Sequence, residues 1–151
     1  MDSVAGAINS EDSELEKDRR RSGCPVSFSL DLLGDRWTLL IIRDLIFSNK
    51  KYYGDFLGSP EKIATNILAD QLAKLEKQGI VSRAGDPGNR TRYVYRLTQK
   101  GTDLLPLLIE IILWGAKYDS RTEAPAEFIR KIRRNKDSVI RNLRKKLSSH
   151  A

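Results

Sequence analysis

Apolar residues recur along this chain in short blocks whose spacing shifts from helical to strand-like and back. Residues 25–33 open on Pro25, which suits a first helical position because no amide hydrogen is needed there. They stop at Gly34, a residue fitted to a helix C-terminus. Residues 36–48, RWTLLIIRDLIFS, are apolar on most faces except at Arg36, Arg43 and Asp44, and Asp35 is placed to cap them. A helix so apolar belongs at the centre of a domain or in a subunit interface. Asn49-Lys50-Lys51 breaks it, Tyr52 to Leu57 gives a short helix, and Gly58-Ser59-Pro60 breaks the chain again. From Ile63 to Gln78, Leu68, Leu72 and Leu75 follow at spacings of four and three, a narrow apolar stripe on a polar helix that Gly79 ends.

The period then falls to two. Ile80 to Arg83 reads as a strand, and 85–89 as a turn with Pro87-Gly88 at the centre of a type II turn. Thr91 to Leu97 alternates, with Thr91, Tyr93, Tyr95 and Leu97 on one face and Arg92, Val94 and Arg96 on the other. Thr98 caps a long helix over 99–118. A last helix opens at Pro125 and sets Ile129, Ile132, Val139, Leu143 and Leu147 against a basic face. Residues 1–23 are polar and read as a flexible arm, helical from Asp12 to Arg21. The pattern therefore predicts a mostly α (α+β) fold with a two-stranded hairpin, in three parts: an arm over 1–23, a domain over 24–119 and a basic helical extension over 120–151.

Charge adds a direction. The chain of 151 residues has a formal net charge of +7. Residues 1–23 carry four basic and six acidic side chains, 24–119 thirteen and eleven, and 120–151 ten and three, so the surplus sits at the C-terminus. Such a surplus suits a polyanionic partner, since Lys and Arg on phosphates release condensed counterions. It equally suits a solvated helix that keeps the protein soluble. The only cysteine is Cys24 and the only histidine His150, which rules out an intramolecular disulfide and leaves neither a zinc ligand set nor a Cys-His nucleophilic pair. No glycine-rich phosphate loop and no GxSxG is present, so no enzyme, metal or cofactor is expected. Apolar runs such as Trp37 to Ile42 are far too short for a membrane span, and Met1 to Ser10 lacks the pattern of a secretory signal. A cytoplasmic protein with no membrane contact is expected.

The order of elements is a central helix, a short helix, a tight turn, a polar helix with a leucine stripe, a hairpin and a long helix. That is the order of a winged helix-turn-helix, in which one helix enters the major groove of duplex DNA with its outer face polar. Thr65, Asn66, Ala69, Asp70 and Lys74 point outward near the start of that helix, with Gln71 on its flank. Thr, Asn and Gln can read base edges; Asp70 either accepts from cytosine N4 or faces solvent. Arg83, Arg90 and Arg92 flank the hairpin tip, where they suit phosphate contact or minor-groove insertion, and Arg90 is the strongest candidate of the three. Two other readings stay open: an ordinary amphipathic surface helix, and a winged helix that serves as a protein-interaction module without DNA. In the extension, Arg130, Lys131, Arg133 and Arg134 suit DNA backbone or an acidic surface.

Cys24-Pro25-Val26, followed by LLGDRWTLLIIRDL over 32–45, resembles the signature of HxlR-type transcriptional regulators, a MarR-like family. Leu68, Leu72 and Glu76, then Gly79-Ile80-Val81-Ser82-Arg83, Tyr95-Arg96-Leu97-Thr98 with Gly101, and Trp114-Gly115 match in order, over about 24–117. The resemblance implies a homodimer joined through terminal helices, recognising an inverted repeat in double-stranded DNA. Two departures stand out. Ala64 occupies a position where the family usually has Ser, so that Thr65 takes either the capping role or a base contact, and the basic extension runs past the usual core. Some relatives use the cysteine of this segment to sense oxidants or electrophiles. At the N-cap of the helix opened by Pro25, Cys24 would have its thiolate stabilised by free amides, with Arg19 to Arg21 nearby. The residue is then a sensor of a small-molecule or electrophile signal, or a cysteine that only packs in a dimer interface.

Overall fold

The structure, a computed structural model, describes residues 21–149. The expected helix over Asp12 to Arg21 lies outside the described residues except for Arg21, as do Arg19, Arg20 and His150. The chain divides into two compact units, one ending at Asp35 and the other running from Arg36 onward. In the first unit α1 spans Pro25–Leu33, with Cys24 at the N-cap and Pro25 in the first turn as expected. Gly34 closes it with its N–H on the Leu30 carbonyl, and a Cβ there would lie 2.4 Å from that same oxygen. Arg21 pairs with Asp31 at 2.7 Å, across one face of this short unit.

In the second unit the elements are α2 (Thr38–Phe47), α3 (Tyr53–Leu57), α4 (Thr65–Lys77), β1 (Val81–Asp86), β2 (Asn89–Leu97), α5 (Gln99–Thr102), α6 (Leu105–Tyr118), α7 (Ala126–Arg134) and α8 (Lys136–Ser148). The core gathers Ile41, Ile42, Leu45 and Ile46 of α2, Phe56 of α3, the α4 leucines 68, 72 and 75, and Ile80, Val81, Leu105 and Ile109. α2 is the central helix its composition predicts. It starts later than the sequence suggests, however: Trp37 occupies the N-cap position, two residues beyond Asp35. Asn49, in the left-handed region at φ 52°, marks the break just past its end.

β1 and β2 form an antiparallel two-stranded sheet in which Val81 pairs with Leu97 and Arg83 with Tyr95. The hairpin is longer than its alternation suggests, because its strands meet at Asp86 and Asn89 and leave only Pro87-Gly88 as loop. Type II geometry is not what closes it. Among the described glycines only Gly79 has a positive φ; instead, the Asp86 carboxylate accepts the Gly88 N–H at 3.0 Å, and the register shifts between Gly85 and Asp86. The strict two-face reading of β2 also gives way. Val94 and Tyr95 are both buried at the base of the hairpin, whereas Tyr93 is exposed beyond it, because the core ends partway along the strand.

Both long helices of the C-terminal half are interrupted. Thr98 caps α5 as expected, accepting from Gly101 N at 3.1 Å, but α5 lasts four residues and α6 begins afresh with Pro106 in its first turn. Proline has no amide to continue the α5 ladder. The final helix breaks at Asn135 (φ −155°, ψ 86°), whose side chain accepts from Ser138 N and so caps α8. α7 buries Ile129 and Ile132, and its Phe128 meets Phe47 of α2 edge-on with ring centroids 5.7 Å apart.

A buried carboxylate holds the turn region to the core helix. Asp44 is 3% exposed; its Oδ1 accepts from Arg43 Nη2 at 2.9 Å, and its Oδ2 accepts from Lys50 Nζ at 3.2 Å and from the Ser59 hydroxyl. Arg43 extends a two-pronged contact to Glu61, with Nη2 to Oε2 at 3.0 Å and Nη1 to Oε1. The guanidinium holds the Glu61 carboxyl below the usual range, and Glu61 in turn raises the pKa of Arg43. Removing one member of a buried charge group leaves the others unpaired, so Asp44→Ala is expected to lower unfolding free energy by about 3 kcal/mol in urea titration. For Glu61 the folded pKa lies below the unfolded value of about 4.3. Its contribution is therefore present above that value and lost as pH falls through the folded pKa, and Glu61→Gln should flatten the stability profile below about pH 4.3.

Candidate nucleic-acid interface

α4 is amphipathic in the sense the leucine stripe requires. Leu68, Leu72 and Leu75 are at most 2% exposed, while Thr65, Asn66, Ala69 and Asp70 lie on the solvent side. Lys74 is half-buried beside them. Gln71 is also half-buried, and its Oε1 accepts from Thr38 Oγ1 of α2 at 3.3 Å, so this flank residue bridges to the core helix. The N-cap is Ala64, with no side-chain cap, and Thr65 is the first helical residue rather than a substitute cap. The amides of the first turn are thus left without a side-chain acceptor, the arrangement in which a helix start takes an anion.

Both ends of α4 are fixed. At the start, Tyr53 of α3 donates its hydroxyl to the Thr65 carbonyl at 2.5 Å, and Lys62, at φ 56°, turns the chain just before the helix. At the finish, Ile80 N bonds to the Leu75 carbonyl at 3.0 Å and Gly79 N to the Glu76 carbonyl at 3.0 Å, with Gly79 at φ 71°. That pair of bonds is the Schellman closure, and it needs a residue at ease with positive φ. Thr98 then clasps the same corner, its hydroxyl donating to the Gly79 carbonyl at 2.5 Å and its N–H to the Ile80 carbonyl at 3.0 Å. Gly101 fits only because it has no side chain: an added Cβ would lie 2.2 Å from the Ile80 oxygen.

The three hairpin arginines separate into two kinds. Arg83 reaches Glu76 of α4 at 3.5 Å and stacks over Tyr93, its guanidinium carbon 4.2 Å from the ring centre. Arg92 pairs with Asp86 at 2.5 Å and lies 3.8 Å over the ring of Tyr52, the N-cap residue of α3. The Gly88 amide and the Arg92 guanidinium hold the Asp86 carboxyl below its usual range, and Asp86 raises the pKa of Arg92. Arg90 is exposed next to the tip and has no ion-pair partner among the described residues. Tyr52, Tyr53, Tyr93 and Glu76 are the supporting residues the sequence reading missed. The Tyr93–Arg83 stack is a diagonal cross-strand contact, visible only once the register is known.

Cys24 belongs to the first unit. Its thiol is exposed, and the backbone amides of Ser27, chiefly, and of Val26 lower its pKa. Among the described residues no group of His, Cys, Asp and Glu could hold a metal, and no helix is long and apolar enough to cross a membrane.

Residues 32–123 match the family model of the HxlR-like helix-turn-helix. The chain belongs to that family. It is 33% identical over 101 residues to YdeP of Bacillus subtilis, an uncharacterized HTH-type transcriptional regulator, covering 67% of this chain and 78% of that one. Its fold is similar to the crystal structure of PA1607, with TM-score 0.62 and 35% identity over 72% of this chain and 74% of that one. It is also similar to the redox regulator HypR in its oxidized form, with TM-score 0.57 and 29% identity over 64% of this chain and 99% of that one. The fold is a winged helix-turn-helix with the hairpin as its wing, and the protein is a transcriptional regulator of the HxlR-like family.

If Arg83 and Arg92 brace the wing while Arg90 does not, their replacement should register differently. Arg83→Ala and Arg92→Ala are expected to speed amide hydrogen exchange along 81–97 several-fold, with Arg90→Ala leaving it unchanged. Equal effects from all three would contradict the division.

Proposed function

We propose that the protein is a homodimeric, sequence-specific DNA-binding regulator that presents α4 to the major groove and Arg90 to phosphate or the adjacent minor groove. The observation that carries this reading is α4 itself: a helix anchored at both ends, keel inward, with Thr65, Asn66, Ala69 and Asp70 turned to solvent beside a basic wing. Asn66 and Thr65 supply the base-reading groups, and the uncapped first turn suits a phosphate oxygen. Arg83 and Arg92 shape the wing, with Lys74 on the helix flank as a further cation. Dimerisation is supported by a stripe on α6, where Leu107, Ile111, Trp114 and Tyr118 are each at least 42% exposed at spacings of four, three and four. On α1, Val26, Phe28 and Leu30 are likewise exposed. A two-fold dimer sets its recognition helices about 34 Å apart, matching an inverted-repeat operator.

Fluorescence-anisotropy titration against DNA flanking its own gene, across a salt series, tests the reading. Binding to that DNA is expected to be ~1,000-fold tighter than to unrelated duplex at the same salt. Asn66→Ala should cost about 1–3 kcal/mol at one base position, and Arg90→Ala should weaken all sequences alike and reduce the salt slope by about one. Weak, uniform affinity defeats specific regulation. If Asn66→Ala and Arg90→Ala leave DNA binding unaltered but disturb a protein partner, the interaction-module reading prevails instead. Trp114→Glu should give a monomer by light scattering.

The exposed, low-pKa thiol of Cys24 and the likeness to the redox regulator HypR favour a second element, control through oxidation or an electrophile. A thiol with lowered pKa holds more thiolate at neutral pH and reacts faster there. The rate of alkylation by iodoacetamide should therefore rise with pH around a midpoint below about 8.5, the value for an unperturbed cysteine. A midpoint at or above that value removes the physical basis for sensing.

A further inference from the structure

The second unit contains a half-open cavity of about 210 Å³ that the regulator reading does not use. Leu45 and Ile46 at the end of α2, with Leu147 of α8, supply apolar walls, and Lys51, Arg96 and Lys146 stand around them. Among the described residues no acidic side chain lines it. Lys50 also lines it, but its ammonium is engaged by Asp44 and Ser59, so Lys51 and Lys146 set the sign of the opening. Lys146 and Leu147 lie beyond residue 123, where the family match stops; the site is thus completed by this chain's own C-terminal helix.

We propose that this cavity binds a small organic anion, a single ring or short acyl chain carrying one carboxylate. The apolar walls give the body of such a ligand a dry surface, and the cations give its charge a partner. A bare phosphate group, whether free or on DNA, makes no use of leucine and isoleucine walls. The volume sets the size, since pockets for drug-sized ligands run about 300–1,000 Å³ and this one is smaller. An occupant also touches Tyr95 at the base of the wing, whose ring packs edge-on against Phe56 of α3 at 6.3 Å. The site therefore joins the C-terminal helix to the elements that brace α4.

The experiment is amide chemical-shift titration of the full chain, free of DNA, with benzoate, phenylacetate and octanoate, and with benzamide and inorganic phosphate as comparisons. Because no DNA is present, its outcome is independent of the operator measurements. At least one acid is expected to shift the amides of Leu45, Ile46, Tyr95 and Leu147 with a Kd of roughly 0.1–1 mM. Lys146→Gln should weaken that acid about threefold, the size of one exposed ion pair. Leu147→Glu, at a half-buried position near the end of α8, should abolish binding while leaving the melting temperature unchanged. The proposal is overturned if none of the acids shifts these amides at ~10 mM, or if benzamide or phosphate binds as well as the acids. Shifts centred on α4 and the hairpin tip, or binding that survives Leu147→Glu, overturn it too.

Discussion

Everything in the second unit that faces solvent with a purpose is referred back to α2, and the tie that fixes the reference is a carboxylate inside the core. Asp44 needs partners there, because an unpaired buried carboxylate costs several kcal/mol. Arg43, Lys50 and Ser59 meet that demand from three different places: the same helix, the segment that follows it and the turn before α4. Arg43 then carries the connection outward to Glu61. The charge group thus fixes where the turn of the helix-turn-helix sits on its central helix. Leucine packing alone resists sliding far less, since apolar contact is non-directional.

With the turn fixed, α4 has little freedom. Tyr53 holds its first carbonyl, the Schellman closure at Gly79 holds its last turn, and Thr98 ties that corner to the start of α5. In the proposed function α4 offers side chains to base edges, and such restraint favours that role because order established in the free protein is not lost again on binding. Its first turn, at Ala64, has no side-chain cap.

The wing follows a related logic. Two of its arginines are spent on tyrosines and carboxylates that stiffen the hairpin and connect it to α3 and α4, leaving Arg90 outward. The C-terminal helices extend the same body. α7 packs Phe128 onto α2, and α8 brings Lys146 and Leu147 to the foot of the wing.

Much of this was legible in the residues themselves. Pro25, Gly34 and Gly79 mark helix ends through local backbone chemistry, the leucines at 68, 72 and 75 define one face of α4, and alternation marks the hairpin. The family signature over 24–117 named the architecture. What the sequence could not carry was anything decided by distant partners. Asp35 had the chemistry of a cap, but α2 began at Thr38; Pro106 and Asn135 broke helices that the apolar periodicity ran straight through. Likewise Arg83, Arg90 and Arg92 are equivalent as letters. Their separation into two braces and one exposed residue without an ion-pair partner among the described residues depends on Glu76, Asp86 and two tyrosine rings reached only through strand register and helix packing. Periodicity and capping are properties of neighbours in the chain, so sequence determines them; the pairing of charges is a property of neighbours in space, and only the folded structure decides it.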